Sequence, residues 1–168
     1  MTDLTLGPLD VLADLPWAAA LLDSELGGRM QARRGELVDA IGDGGLIAIA
    51  DGLPIALLTW AVGIGGSAEI RAVVVTAESR GHGVGRALIE AAHGWLGAAG
   101  VRHVWLVTTN DNIAALGLYQ QLGYRLVELR VGAVDESRRT LKPSIGEIGA
   151  HGIPIHDELE LEVELAGR

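Results

Sequence analysis

One stretch constrains this chain more than any other: Val73-Val74-Val75-Thr76, followed closely by Arg80-Gly81-His82-Gly83-Val84-Gly85-Arg86. A β-branched run favours a strand, and the residues after the last glycine carry apolar side chains at helical spacing. Between them, glycines let the backbone take positive φ and approach a ligand closely. A helix start adds unpaired N–H groups and the positive end of its dipole. Arg80 and Arg86 flank the loop and suit phosphate oxygens. This reads as a pyrophosphate cradle; a tight turn holding nothing is the other reading, but it explains neither arginine. A dinucleotide fingerprint would need glycine where Arg86 stands, and a P-loop would need Gly-Lys-Ser/Thr.

The rest of the chain narrows the class. Its 168 residues suit one domain with a real core. Phe is absent, so that core must be built from Leu, Val, Ile and Ala with a few Trp. With no cysteine, disulfides and thiolate chemistry are excluded. Neither a signal-peptide layout nor an apolar run of membrane length is present, so a cytoplasmic protein is expected. The net charge of −9 disfavours nucleic acid and anionic membrane surfaces. It favours a cationic partner, or serves solubility alone.

Patterning then sketches the elements. Leu4-Thr5-Leu6 suggests a short first strand, and Leu12 to about Ile41 reads as one or two helices broken near Gly27-Gly28. Leu46 to Ala50 and Ile55 to Val62 form a hairpin about Asp51-Gly52. A strand over Glu69–Thr76 leads to a helix from about Val84 to Ala99, stopped by Gly100. His103–Thr108 is a buried strand, Asn110-Asp111-Asn112 offers caps for a short helix over Ile113–Leu122 closed by Gly123, and Tyr124–Val131 is a strand. The polar stretch from about 132 to 154 reads as an ordered insertion or lid. Glu158 to Leu165 alternates strictly, with Leu159, Leu161, Val163 and Leu165 on the core and the glutamates on a solvated face; the other reading makes them, with Asp23 and Glu25, a negative wall that attracts a cationic amine. The fold class is α/β, a mixed sheet flanked by helices within a single domain over residues 1–168.

Two segments resemble one family. Arg80-Gly81-His82-Gly83-Val84-Gly85 is similar to the Arg/Gln-x-x-Gly-x-Gly/Ala signature of GNAT-type N-acetyltransferases. Downstream, Asn112-Ile113-Ala114-Ala115-Leu116-Gly117-Leu118-Tyr119-Gln120-Gln121-Leu122-Gly123-Tyr124 resembles that family's Asn-x-x-Ala-x-x-x-Tyr-x-x-x-Gly-Phe/Tyr segment. The detailed likeness covers about residues 69–126. It implies a GNAT-like acyl-CoA N-acyltransferase fold, with a mixed, mostly antiparallel twisted sheet flanked by helices.

The resemblance also implies roles. Acetyl-CoA would be the co-substrate, with no metal required. Its pyrophosphate would lie over Gly81, His82, Gly83, Val84, Gly85 and Arg86, beside Arg80. Its pantetheine arm would pair with the main chain of Val73, Val74 and Val75 like an added strand, and a strand N–H would polarise the thioester carbonyl. Tyr119 matches the position of a general acid for the leaving thiolate, or is a packing residue. Asn112 caps its helix and can also bond the pantetheine. Glu69 stands where one branch of the family has its base; it is equally readable as an edge-strand charge. Arg71 occupies the commoner acidic position, and Val107 the place of a glutamate in the ribosomal-protein alanine acetyltransferases.

These expectations amount to acetyl transfer by direct attack of a primary amine, on a small-molecule acceptor that is cationic if the acidic charge is functional. A protein or peptide amine is the alternative, as is a noncatalytic acyl-CoA sensor. By analogy, a homodimer paired through the terminal strand is also open.

Overall fold

The computed structural model describes residues 3–166. Along the chain the elements are β1 (Leu4–Pro8), α1 (Leu15–Leu26), β2 (Met30–Arg33), β3 (Glu36–Asp39), β4 (Gly44–Ala50), β5 (Leu53–Val62) and β6 (Ser67–Val75). Then come α2 (Val84–Ala98), β7 (His103–Thr109), α3 (Ile113–Gln121), β8 (Arg125–Arg130), α4 (Ala133–Thr140) and β9 (Glu158–Glu164). The fold is α/β, a mixed sheet flanked by helices. Among the described residues no helix is long and apolar enough to cross a membrane.

The chain divides into two compact units. One takes the chain up to Arg29, Ala40–Val104 and the end from Glu164. Its strands run in the order β1-β4-β5-β6, each antiparallel to its neighbour. Asp51 and Gly52 sit at φ 52° and 78°, the mirror-image tight turn that an Asp-Gly pair favours. Leu57 and Leu58 are both fully buried, although successive strand residues point to opposite faces. Both faces are therefore covered. Ala18, Leu21 and Leu22 of α1 pack with Leu57, Ala72 and Val74, while α2 lies on β4, β5 and β6 through Val84, Leu88, Ile89, Ala92 and Leu96. Gly100, at φ 89°, ends that helix as its sequence required.

The other unit holds Met30–Asp39 and Trp105–Val163. Its strand order is β7-β9-β8, and β2 and β3 form a separate two-stranded hairpin. The reading of Leu12–Ile41 as helices fails after Leu26. Gly27 closes α1 in the left-handed conformation, and residues 30–39 pair as strands about Arg34 and Gly35, at φ 52° and 77°. Such a turn normally announces itself by Asn-Gly or Asp-Gly. An arginine at the first left-handed position gives no such signal.

A second correction concerns β9. It lies between β7 and β8 instead of offering an edge, and β8 stands at the end of its unit's order. The first part of its glutamate face is not solvated either: Glu158 is only 2% exposed, although Glu164 at the far end is exposed. Arginines from β8 and the β2–β3 turn cover that face, and sequence alternation cannot distinguish water from guanidinium as the neighbour of a carboxylate.

The segment over about 132–154 contains α4 and is tied down by side chains of its own unit. Asn110 donates to the Pro154 carbonyl at 2.8 Å and accepts from the His156 and Asp157 amides. Buried Asp111 accepts from Thr109 at 2.5 Å and from the Ala150 amide at 3.0 Å. Arg138 donates to the carbonyls of Ile145, Gly146 and Ile155. Asp157 accepts the Gly132 amide at 2.7 Å. These bonds clasp the segment at both ends and in its middle.

Candidate active site

The first unit presents the strand, loop and helix that drew attention in the sequence. On β6, Val74 is buried while Val73 and Val75 are half-buried. Thr76 closes the ladder by donating its amide to Ile55, and its hydroxyl bonds Ser79 across a short helical turn. Gly81 and Gly83 then adopt φ 76° and 79°. Open space surrounds the place of a side chain at both, so the backbone conformation, and not crowding, calls for glycine there.

Gly83 also begins α2 without any side-chain cap. The first bond of the helix runs from the Ala87 amide to the Gly83 carbonyl at 3.0 Å. Upstream of it, the N–H groups of Gly81, Gly83, Val84 and Gly85 have no partner among the described residues. They are a run of donors at the positive end of a 15-residue helix, the arrangement that holds anions.

The flanking arginines are placed differently from the expectation that both serve phosphate. Arg80 turns back, donating Nε to the Val75 carbonyl at 3.1 Å and pairing with Glu25 of α1. It staples the loop to that helix, and it engages one of the carboxylates that were candidates for an acidic acceptor wall. Arg86 lies 3.8 Å from Glu90, one helical turn on. His82 turns Nδ1 toward the Ser79 carbonyl at 3.4 Å.

Glu69 is 5% exposed on β6, which pairs with β5, and so is not an edge-strand charge on that side. Arg71 donates Nε to it at 3.2 Å. Opposite Thr59 and Trp60 stand Ala72 and Ile70, leaving Arg71 as the extra residue of a bulge. Bulges of this kind re-aim side chains and often lie beside active sites. The two-residue spacing of Glu69 and Arg71 suits an ion pair on a regular strand, whereas the bulge that holds Arg71 gives no sign in the sequence.

The second unit holds the remaining candidates. Tyr119 on α3 is 8% exposed, with its ring 5.5 Å from that of Tyr124 and tilted by 58°. Burial pushes its phenol up to about 12, and burial followed by the neighbouring Tyr119 raises Tyr124 as well. No hydrogen-bond partner for the Tyr119 hydroxyl occurs among the described residues. Asn112 occupies the first position before α3 yet makes no capping bond with its side chain; its Nδ2 donates to Thr108 at 3.2 Å. The anticipated cap is thus corrected: φ −82° and ψ 61° at Asn112 place it outside the usual cap geometry. Asn110 and Asp111, read in the sequence only as possible caps, are the anchors of the clasped segment.

Among the described residues no group of three His, Asp or Glu side chains is arranged to hold a metal ion. His156 bonds Asp135 at 2.8 Å, and that contact, with Arg138, holds the Asp135 carboxyl below its usual range.

Comparisons with known proteins agree with this architecture. Residues 15–124 match the model of the acetyltransferase (GNAT) family. The uncharacterized protein YxbD of Bacillus subtilis is 46% identical over 83 residues, covering 49% of this chain and 52% of that protein. The chain spans about half the length of the curated relatives it matches. The IAA acetyltransferase from Bacillus cereus superposes with a TM-score of 0.74 at 20% identity, covering 97% of this chain and all of that one. A GNAT family acetyltransferase from Elizabethkingia anophelis with acetyl-CoA bound gives 0.74 at 18% identity, over 98% of this chain and 100% of that one. At such identities the superpositions speak for the fold alone, but the family model spans well over half of the chain: this protein belongs to the GNAT acetyltransferase family.

Proposed function

We propose that this chain, read as one N-acetyltransferase domain, moves an acetyl group from acetyl-CoA to the primary amine of a small molecule by direct attack. The observation that carries this reading is the run of unpartnered main-chain donors from Gly81 to Gly85, between β6 and α2. Those amides, with His82 and Arg86, would hold the diphosphate of acetyl-CoA; a relative of the same fold binds that molecule. Bound there, acetyl-CoA supplies an activated thioester. Arg80 shapes the loop through Val75 and Glu25.

Other roles follow the chemistry of each residue. The main chain of Val73, Val74 and Val75 pairs with the pantetheine amides and turns an N–H toward the carbonyl that gains negative charge. Asn112 adds a side-chain contact to the same arm. Glu69 takes the proton that the amine must lose before it can attack, with Arg71 fixing the carboxylate. Tyr119 stays protonated throughout the physiological range and delivers its proton to the departing sulfur. Burial makes it a weaker acid than a free phenol, so proton delivery must accompany carbon–sulfur cleavage and not precede it. The acidic balance of the chain favours a cationic acceptor. A cytoplasmic location fits the availability of acetyl-CoA.

A screen of amines reporting free CoA tests this directly. Turnover on free amines supports the proposal. Turnover on a folded protein or peptide alone would transfer the activity to macromolecular amines, and tight CoA binding without turnover on any acceptor would make the chain a sensor. Absence of CoA binding would end all three readings.

A further inference from the structure

The turn of the β2–β3 hairpin reaches a cluster of side chains that the acetyl-transfer reading does not use. The guanidinium carbon of Arg34 lies 4.8 Å from the centre of the Trp105 ring, within cation–π range, and that of Arg33 lies farther out at 5.6 Å. Its Nε is 3.7 Å from a carboxylate oxygen of Glu160. Below the turn, Glu158 receives the Arg34 amide on both oxygens, at 3.2 and 3.0 Å. An indole face with carboxylates beside it is the chemistry that recognises an organic cation.

The walls of this cage are fixed and its occupant is not. Arg130 pairs with Glu160 and, at 2.6 Å, with Glu128. Its Nη1 is buried without a hydrogen-bond partner and stands 3.8 Å from Glu158, which is itself buried. A carboxylate buried at that cost marks a built position. By contrast, the Arg34 side chain is 44% exposed. It makes no side-chain hydrogen bond with any described residue, only the loose ion pair and the ring contact. Rotation about its own side-chain bonds would free the cage while the Arg34 amide stays on Glu158.

We propose that Trp105, Glu158 and Glu160 form a binding site for a compact organic cation, a guanidinium or alkylammonium group, which Arg34 fills from within until an external cation displaces it. The site stands independently of acetyl transfer, because it is tested by binding and not by turnover.

Arg34→Gly is the discriminating variant. Glycine suits the positive φ of this position, the amide bond to Glu158 is retained, and the Arg34 guanidinium is removed from the ring while the more distant Arg33 stays. Methylguanidinium is titrated calorimetrically into wild type and variant, with sodium chloride at matched ionic strength as control. The variant should bind saturably and at least tenfold more tightly than wild type, and Arg34→Gly combined with Glu160→Gln or Trp105→Leu should lose that gain. No saturable binding to Arg34→Gly beyond the salt control, or equal binding after Trp105→Leu, overturns the proposal. Should the variant not fold, the same titration of wild type followed at the Trp105 indole N–H by NMR decides: a saturable shift supports the site, and no shift overturns it.

Discussion

Tyr119 shows how burial and chemistry pull on a single side chain. The apolar surroundings that fix its position also push its phenol up to about 12, away from the acidity of a thiol. Replacing it with Phe should lower kcat about a hundredfold while leaving the KM for acetyl-CoA within about twofold, a loss in the range expected for a general acid; an unchanged kcat removes it from the mechanism. The same shift sets an alkaline limit to stability. Below pH about 10 the phenol is neutral in folded and unfolded chains alike. Above it the unfolded chain ionises first, so stability drains away as pH rises toward the folded value near 12. Unfolding and tyrosinate absorbance should therefore rise together in an alkaline titration, and Tyr119→Phe should move that transition to higher pH. Glu69→Gln should depress kcat without weakening CoA binding; equal rates would leave the carboxylate as a structural partner of Arg71.

At the level of elements, the clasped segment makes the most specific demand. A methyl group at Gly149 would collide with the Asp111 carboxylate, so Gly149→Ala should cost about 1–3 kcal/mol in chemical denaturation, as overpacking does, and proteolysis should then attack the segment first. Nothing in the sequence announced this contact, because it joins residues 38 positions apart through a side chain that reads locally as a cap. What the sequence did disclose follows from periodicity and from punctuation by glycine. The hairpin at Asp51-Gly52, α2 with its Gly100 stop, and α3 before Gly123 all carry such marks. The β2–β3 hairpin carries only Gly35, since its turn begins on an arginine that tertiary contacts hold at positive φ. The candidate site divides in the same way. Its loop is written in glycines, whereas the commitment of Arg80 to Glu25 depends on a partner 55 residues away.

For the whole molecule, charge and proton binding govern behaviour. The acidic excess should draw in a cationic acceptor at low ionic strength, so its KM should rise with added salt while that of a neutral amine stays nearly flat. Half-buried His93 is pushed below its ordinary value, chiefly by burial. It is neutral in both states above pH about 6.5; as pH falls through that value the unfolded chain takes up the proton first, and stability is lost toward the lower folded value. His93→Gln should flatten that acid limb in thermal melts, and an unchanged limb would assign it to other groups. The anion grip proposed after β6 has a different consequence, for inheritance. A peptide N–H is the same in every amino acid but proline, so a contact made by amides leaves almost no imprint on the identity of the residues that make it. A saturation library across 81–85 should tolerate changes of side chain at exposed His82, keep an apolar residue at buried Val84 and reject proline throughout, so a grip made by amides would let related chains diverge in side chains while holding one nucleotide tail.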